Sequence, residues 1–281
     1  MSGHYPLTDL AHSTGRNYFE GTELLIAVKA YFDGSEGQDD NGDKWLTLAG
    51  FGASDRTWHL FNRKWEHMLK QRYPVPPFIH MNPLVMATKP FERVVGWSEE
   101  KITALVTDAI DIMQNLNSAS FRSFVCSVNI SARKRLVDEG YDVMDPMSLC
   151  ADMCIGASHT WHIESGSREL AYLFYDRTEL FLKPFRKRWL QNRTPPGQLT
   201  TGEGESLFWD FFRDVSEVDM AYNPPMQAAD MVAWGRSRGL SAKERPWKYL
   251  AKIMGDVIAT STAIITEDMM RSKSVKKPAI P

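Results

Sequence analysis

The stretch LLIAVKAYFD (24–33), together with the turn and strand patterns directly after it, constrains the fold most. It is apolar and partly alternating, the pattern of a buried strand, with Gly34 and Ser35 ending it. GSEGQDDNGDK (34–44) is rich in glycine and aspartate and reads as a hairpin connection. WLTLAGFGA (45–53) is then a second strand, so the two are expected to be antiparallel neighbours.

Helical and extended patterns alternate after this hairpin. Ser54 or Asp55 can cap a helix over 56–71, whose apolar positions include Trp58, Phe61, Trp65 and Met68. The prolines of PVPPFIHMNPL (74–84) exclude a helix and leave FIHM as a short extended piece. Ser98 with Glu99 and Glu100 opens a helix to about Asn115, and FRSFVCSVNI (121–130) alternates as a strand. Asp145-Pro146 starts a long helix reaching Ile163, ELAYLFYD (169–176) is a further buried strand, and a basic helix succeeds it over 178–192. TPPGQLTTGEGES (194–206) is a loop by composition, and 213–220 can form a short strand. Pro224-Pro225 precede an amphipathic helix, MQAADMVAWGRSRGL (226–240), and a last helix is expected over 246–260. There is no internal repeat. The expected organisation is an irregular arm (1–22), one α/β domain (23–262) with a mixed sheet, flanking helices and a helical insertion after the second strand, and a basic tail (263–281).

Two buried strands finish on aspartate, YFD at 31–33 and FYD at 174–176. A rigid strand is a good mount for a functional carboxylate. Asp230 lies inside an otherwise apolar helical stretch, where an unpaired charge is costly and needs a partner. A hard cation bound by oxygen ligands, Mg²⁺ or Mn²⁺ rather than Zn²⁺, is one such partner. Two such ions suit water activation and leaving-oxygen stabilisation in phosphodiester cleavage. Each acid also has a plainer role open to it. Asp33 can begin a Gly-Ser turn, Asp176 can pair with Arg177 or cap a helix near Thr178, and Asp230 can bond to a neighbouring backbone.

At these segments the chain resembles the domain-of-unknown-function 3800 family, ribonuclease H-like proteins of which many are suspected nucleases. The matching pieces are YFDGSEG (31–37), LTLAGFGA (46–53), FIHM (78–81), FYDRTE (174–179) and PPMQAADMVAW (224–234), which frame the chain from about 24 to 240. The resemblance implies a ribonuclease H-like sheet and an acidic site of Asp33, Asp176 and Asp230. In that hypothesis Asp33 bridges two metal ions, Asp176 and Asp230 each hold one, and Glu36 or Glu179 completes the shell. His80 would shuttle a proton or contact a phosphate. One departure stands out: the family reads Asp-Glu-Ser-Gly at the first strand, whereas this chain reads Asp33-Gly34-Ser35-Glu36-Gly37. The implied function is metal-dependent hydrolysis of nucleic acid, in the setting of defence or mobile-element systems and their protein partners. The rivals are a non-catalytic nucleic-acid-binding or regulatory subunit that keeps the fold, and a phosphohydrolase of small esters.

A net charge of -2 gives no field that would draw nucleic acid over the whole surface, so such binding needs a local patch. KPFRKRWLQNR (183–193) offers one, with Lys183, Arg186, Lys187, Arg188 and Arg193, and with Phe185 and Trp189 at i,i+4 spacing. It can sit beside the aspartates and contact phosphates, or be a solvated face with two aromatics in the core. Cys150, Cys154 and His162 share a helical stripe with His159 nearby, which reads as packing rather than a zinc site because no CxxC pair is present. Three cysteines make no disulfide framework. No signal pattern opens the chain and no apolar run approaches the ~18–20 residues that span a bilayer. The expected setting is a reducing cytoplasm, with no membrane association.

Overall fold

The computed structural model describes residues 28–116, 121–164, 171–177, 182–192, 212–241, Leu250, Met254 and 261–276. The main strands are β1 (Val28–Gln38), β2 (Lys44–Ser54), β3 (Phe121–Asn129), β5 (Ala171–Asp176), β6 (Phe212–Val218) and β7 (Ser261–Ile265). They form one mixed six-stranded sheet in the order β6-β5-β1-β2-β3-β7. β1, β2 and β3 are an antiparallel meander, while β5 runs parallel to β1, β6 parallel to β5 and β7 parallel to β3. A two-residue strand, β4 (Tyr141–Asp142), pairs with β8 (Val275–Lys276) in a separate ribbon.

Helices cover both faces. α1 (Asp55–Lys70), α2 (Met81–Val85) and α3 (Glu99–Gln114) lie between β2 and β3 in sequence, as the expected helical insertion. The other helices are α4 (Ile130–Asp138), α5 (Pro146–Glu164), α6 (Leu182–Asn192), α7 (Pro224–Gly239) and α8 (Glu267–Lys273). The caps are local chemistry. Ser54 accepts from Thr57 N at the start of α1, Ser98 from Lys101 N at α3, and Asn223 from Met226 N at α7. Pro224 and Pro225 are the first two residues of α7, where a missing N–H costs nothing.

Strand alternation sorts the sheet residues into two cores. Tyr31, Ala49, Phe51, Ala53, Val125 and Phe174 point toward α1, α3 and α7. Phe32, Leu48, Phe124, Cys126, Leu173 and Tyr175 point toward α4, α5, α6 and Met270 of α8. Each face is filled by aromatic contacts, such as Tyr31 stacked on Phe174 at 4.8 Å on the first and Phe32 on Tyr175 at 5.8 Å on the second.

The prolines of 74–84 do not exclude a helix throughout, since α2 takes Met81–Val85 with Pro83 in its first turn, where a missing N–H leaves no intrahelical bond unmade. Two further expectations need correction. First, β1 does not end at Gly34-Ser35. It continues to Gln38, paired residue by residue with β2 from Asp33↔Ala49 to Gln38↔Lys44. The turn is Asp39–Asp43, where Asp39 Oδ1 accepts from Asn41 N and Asp43 N and Gly42 takes φ 87°. Second, the chain from 263 is not a tail outside the domain. Residues 261–265 are the edge strand β7, and α8 is tied down by ion pairs from Arg135 to Glu267 at 3.0 Å and from Arg271 to Glu139 at 2.6 Å. The arm (1–22), the loop 194–206 and most of the expected 246–260 helix lie outside the described residues.

Candidate acidic site

β1 and β5 run parallel with their last paired residues Phe32↔Tyr175. One position further on, each carries its aspartate. Asp33 shares a face with Tyr31, and Asp176 with Phe174, so both carboxylates point to the side covered by α7. Asp33 is therefore not at a strand end as expected. It sits where β5 stops and β1 goes on alone with β2. The two acids therefore stand at the carboxyl end of β5 and midway along β1.

Asp230 comes from the interior of α7 and faces the same place. Its Oδ2 accepts from Met81 N at 2.7 Å, and a side-chain hydrogen bond joins it to Asp33. Burial pushes its carboxyl up. The charge of His80, the Met81 amide and the Asp33 bond pull it down, and Asp176 pushes it up again. Asp33, Asp176 and Asp230 are thus brought into one cluster, with relative exposures of only 5%, 6% and 5%. Carboxyls this close repel when both are charged, and a cation between them would relieve that repulsion. The all-oxygen donor set suits a hard divalent ion. Among the described residues, however, no three His, Cys, Asp or Glu side chains stand in metal-holding geometry. Asp33 and Asp230 face each other, and a bound cation would have to take the place of that bond.

α7 also holds the FIHM segment. Gln227 Oε1 accepts from Ile79 N at 3.0 Å and from Trp65 Nε1 at 2.8 Å, while its Nε2 donates to Met220 O at 3.0 Å. Gln227 and Asp230 stand one turn apart, and the amides of Ile79 and Met81 are two residues apart in extended chain. The two spacings match, so Gln227 and Asp230 clamp a strand-like segment by its alternate N–H groups. Trp234, a turn further on, donates from Nε1 to Asn82 Oδ1 at 3.0 Å. Sequence reasoning missed this pair, although the i+4 spacing of Trp234 from Asp230 was a usable signal.

The other expected residues fare unevenly. His80 is half-buried, precedes α2 without capping it, and lies within electrostatic reach of Asp230. Glu36 does not join the cluster. Three positions along a strand is the opposite face, and Glu36 is exposed opposite Leu46. The face it leaves is occupied by Ser35, whose Oγ lies 3.0 Å from Ser237 Oγ, and by Gly37, where an added Cβ would stand 2.2 Å from Ser237 O. Arg177 pairs with Asp219 at 3.0 Å rather than with Asp176. Glu179 and Arg193 lie outside the described residues, and Lys183 is described only as part of α6.

The basic helix is not beside the aspartates. Phe185 and Trp189 of α6 are buried in the second core, across the sheet from them. Arg186 and Lys187 are exposed there, and Arg188 pairs with Asp152 of α5 at 2.5 Å. On that same face the cysteine stripe is packing. Cys150 Sγ donates to Cys126 O at 3.4 Å and Cys154 Sγ to Leu48 O at 3.6 Å. A neighbouring Cys126 bond and burial hold the Cys150 thiol well above its usual range, and burial does the same to Cys154.

No family model, curated protein or solved structure matches the chain. Among the described residues no helix is long and apolar enough to cross a membrane.

Proposed function

We propose that this chain is a divalent-metal-dependent nuclease of ribonuclease H-like type, with Asp33, Asp176 and Asp230 as its acidic site. The observation that carries the proposal is the convergence of three buried aspartates, from three separate elements, on one sheet face. The sheet supports the same reading. β1, β2 and β3 form a meander, β2 is antiparallel to the other five strands, and β5 and β6 continue from the far side of β1. The resemblance to the 3800 family draws on the same segments.

Mg²⁺ or Mn²⁺ bound there would lower the pKa of an attacking water and stabilise the leaving oxygen. The chain's part is to hold the oxygens. Asp33 and Asp176 are fixed by the strands, and Asp230 by the Met81 amide. His80, within electrostatic reach of Asp230, would in this reading shuttle a proton or contact a phosphate at the edge of the site. A second reading, a non-catalytic nucleic-acid-binding or regulatory subunit, is favoured by the Asp33–Asp230 bond and by the departure of Glu36 from the site face.

The test is cleavage of single-stranded and duplex DNA and RNA, and of a small phosphate ester, in Mg²⁺, Mn²⁺ or EDTA. Asp33→Ala and Asp176→Ala are each expected to cut the rate by on the order of 100-fold or more. Cleavage that survives EDTA and both substitutions would sink the acidic site. Metal-dependent binding without cleavage would favour the subunit, and turnover of the ester alone would favour a phosphohydrolase.

A further inference from the structure

The acidic cluster does not account for the cavity next to it. A cavity of about 290 Å³ opens between the far end of β1, α2 and α7, lined by Gln38, Asn82, Val85, Met86, Trp234 and Arg238. That volume is at the low end for small-molecule pockets, enough for one compact ligand. Its position is tied to the acids twice over. Asp230, Trp234 and Arg238 recur every fourth residue along one stripe of α7, so the cavity begins about 6 Å along the helix from Asp230. Asn82 is the next residue after Met81, whose amide holds Asp230, and Asn82 in turn accepts from Trp234.

The lining chemistry is specific in kind. Val85 and Met86 offer apolar surface to a flat ring, and only an edge of the buried Trp234 reaches the cavity wall. Gln38 Nε2 donates to Gly42 O at 2.8 Å and Asn82 Oδ1 accepts from Trp234, which orients the Gln38 oxygen and the Asn82 amide N–H groups as the acceptor and donor that would read the polar edge of a base. Arg238 donates from Nη1 to Glu36 O at 2.7 Å, which fixes its guanidinium at the mouth, where a phosphate would meet it. An apolar wall, two amides and an arginine together match a nucleotide better than a purely apolar or a purely anionic ligand.

We infer that this cavity is a subsite for one nucleotide of the polymer, the one flanking the phosphate at the acidic cluster. The inference rests on the nuclease reading for its geometry, but the pocket can be tested apart from it. Calorimetric titration of the protein in EDTA with adenosine, guanosine, cytidine and uridine monophosphates reads the pocket without cleavage. At least one is expected to bind, and a short oligonucleotide is expected to compete with it. Met86→Glu, at a side chain 69% exposed and outside both cores, is expected to weaken binding roughly tenfold or more by placing an anion in the pocket. Arg238→Lys keeps the charge and loses the fork, and a smaller weakening is expected. Failure of every mononucleotide to bind, failure of the oligonucleotide to compete, or unaltered binding in Met86→Glu of unchanged melting temperature would each overturn the subsite. Mononucleotide binding in a protein that cleaves nothing would instead remove the nuclease reading and leave the pocket.

Discussion

The two faces of the sheet are built from the same strands and differ in what they do with polar groups. On the α5–α6 face the buried thiols donate to carbonyls of the strands beneath them, and the aromatics close the rest. On the α7 face the polar groups reach between elements. Gln227 holds Trp65 and Ile79, Asp230 holds Met81, Ser237 meets Ser35, and Trp234 meets Asn82. The first arrangement fills space. The second positions a helix and a loop against the sheet and leaves two acids, Asp33 and Asp230, facing one another. Parity along the strands decides which residue joins which face, so a carboxylate such as Glu36 can be near in sequence and still belong to the other side.

The sharpest way to break this contrast is at Gln227. Gln227→Leu leaves the Trp65 indole N–H and the Ile79 amide buried and unbonded, and a loss of about 2–5 kcal/mol is expected in urea unfolding. Cys154→Ala on the other face is expected to cost less, and the reverse order would show that the latch is not what binds α7. Asp230→Asn comes next. Burial raises the carboxyl above its unfolded value, so the charged form is penalised in the fold and that penalty grows as pH rises through the folded value. Asn keeps an acceptor for Met81 N and offers a donor to Asp33. Melting in EDTA is expected to rise by a few degrees while cleavage is lost. A fall in melting temperature would mean that Asp230 is stabilising in its charged form.

A smaller effect is expected at the far end of the hairpin. A bond from Arg135 holds Asp43 below its usual carboxylate range, as one from Arg271 does for Glu139. Their folded values lie below the unfolded ones, so their stabilisation is complete above the unfolded values and is lost as pH falls through the folded ones. Arg135→Gln is expected to reduce melting temperature slightly at neutral pH and not at all at strongly acid pH. An equal loss at both would assign Arg135 a packing role. The smallest expected effect is on α6. Arg186→Glu with Lys187→Glu changes exposed charges across the sheet from the acids, so affinity for nucleic acid and its salt slope are expected to stay the same. A flattened slope would bring that face into the binding surface after all.

Much of the fold was legible because its signals are local. Ser54 and Ser98 mark helix starts, FRSFVCSVN alternates, and two strands carry aspartates at matching places. The site was legible as far as the identity of its acids. What failed did so for physical reasons. Gly34-Ser35-Glu36-Gly37 has the composition of a turn, but pairing with β2 keeps it extended, and Gly37 admits α7 at close range. The side on which α6 packs is a property of the crossover from β5, which no residue of the helix announces. STAII is too short to declare itself a strand, and only β3 makes it one.

That late strand has a consequence for how the protein is made. β3 is flanked by β2 from early in synthesis, but its other edge stays bare until residues 261–265 arrive to cover it. An uncovered row of N–H and C=O groups is a template for pairing with another chain. The nascent protein therefore carries a sticky seam from the emergence of β3 until that of β7, and the ion pairs that fasten α8 serve as the clasp that holds the covering strand in place.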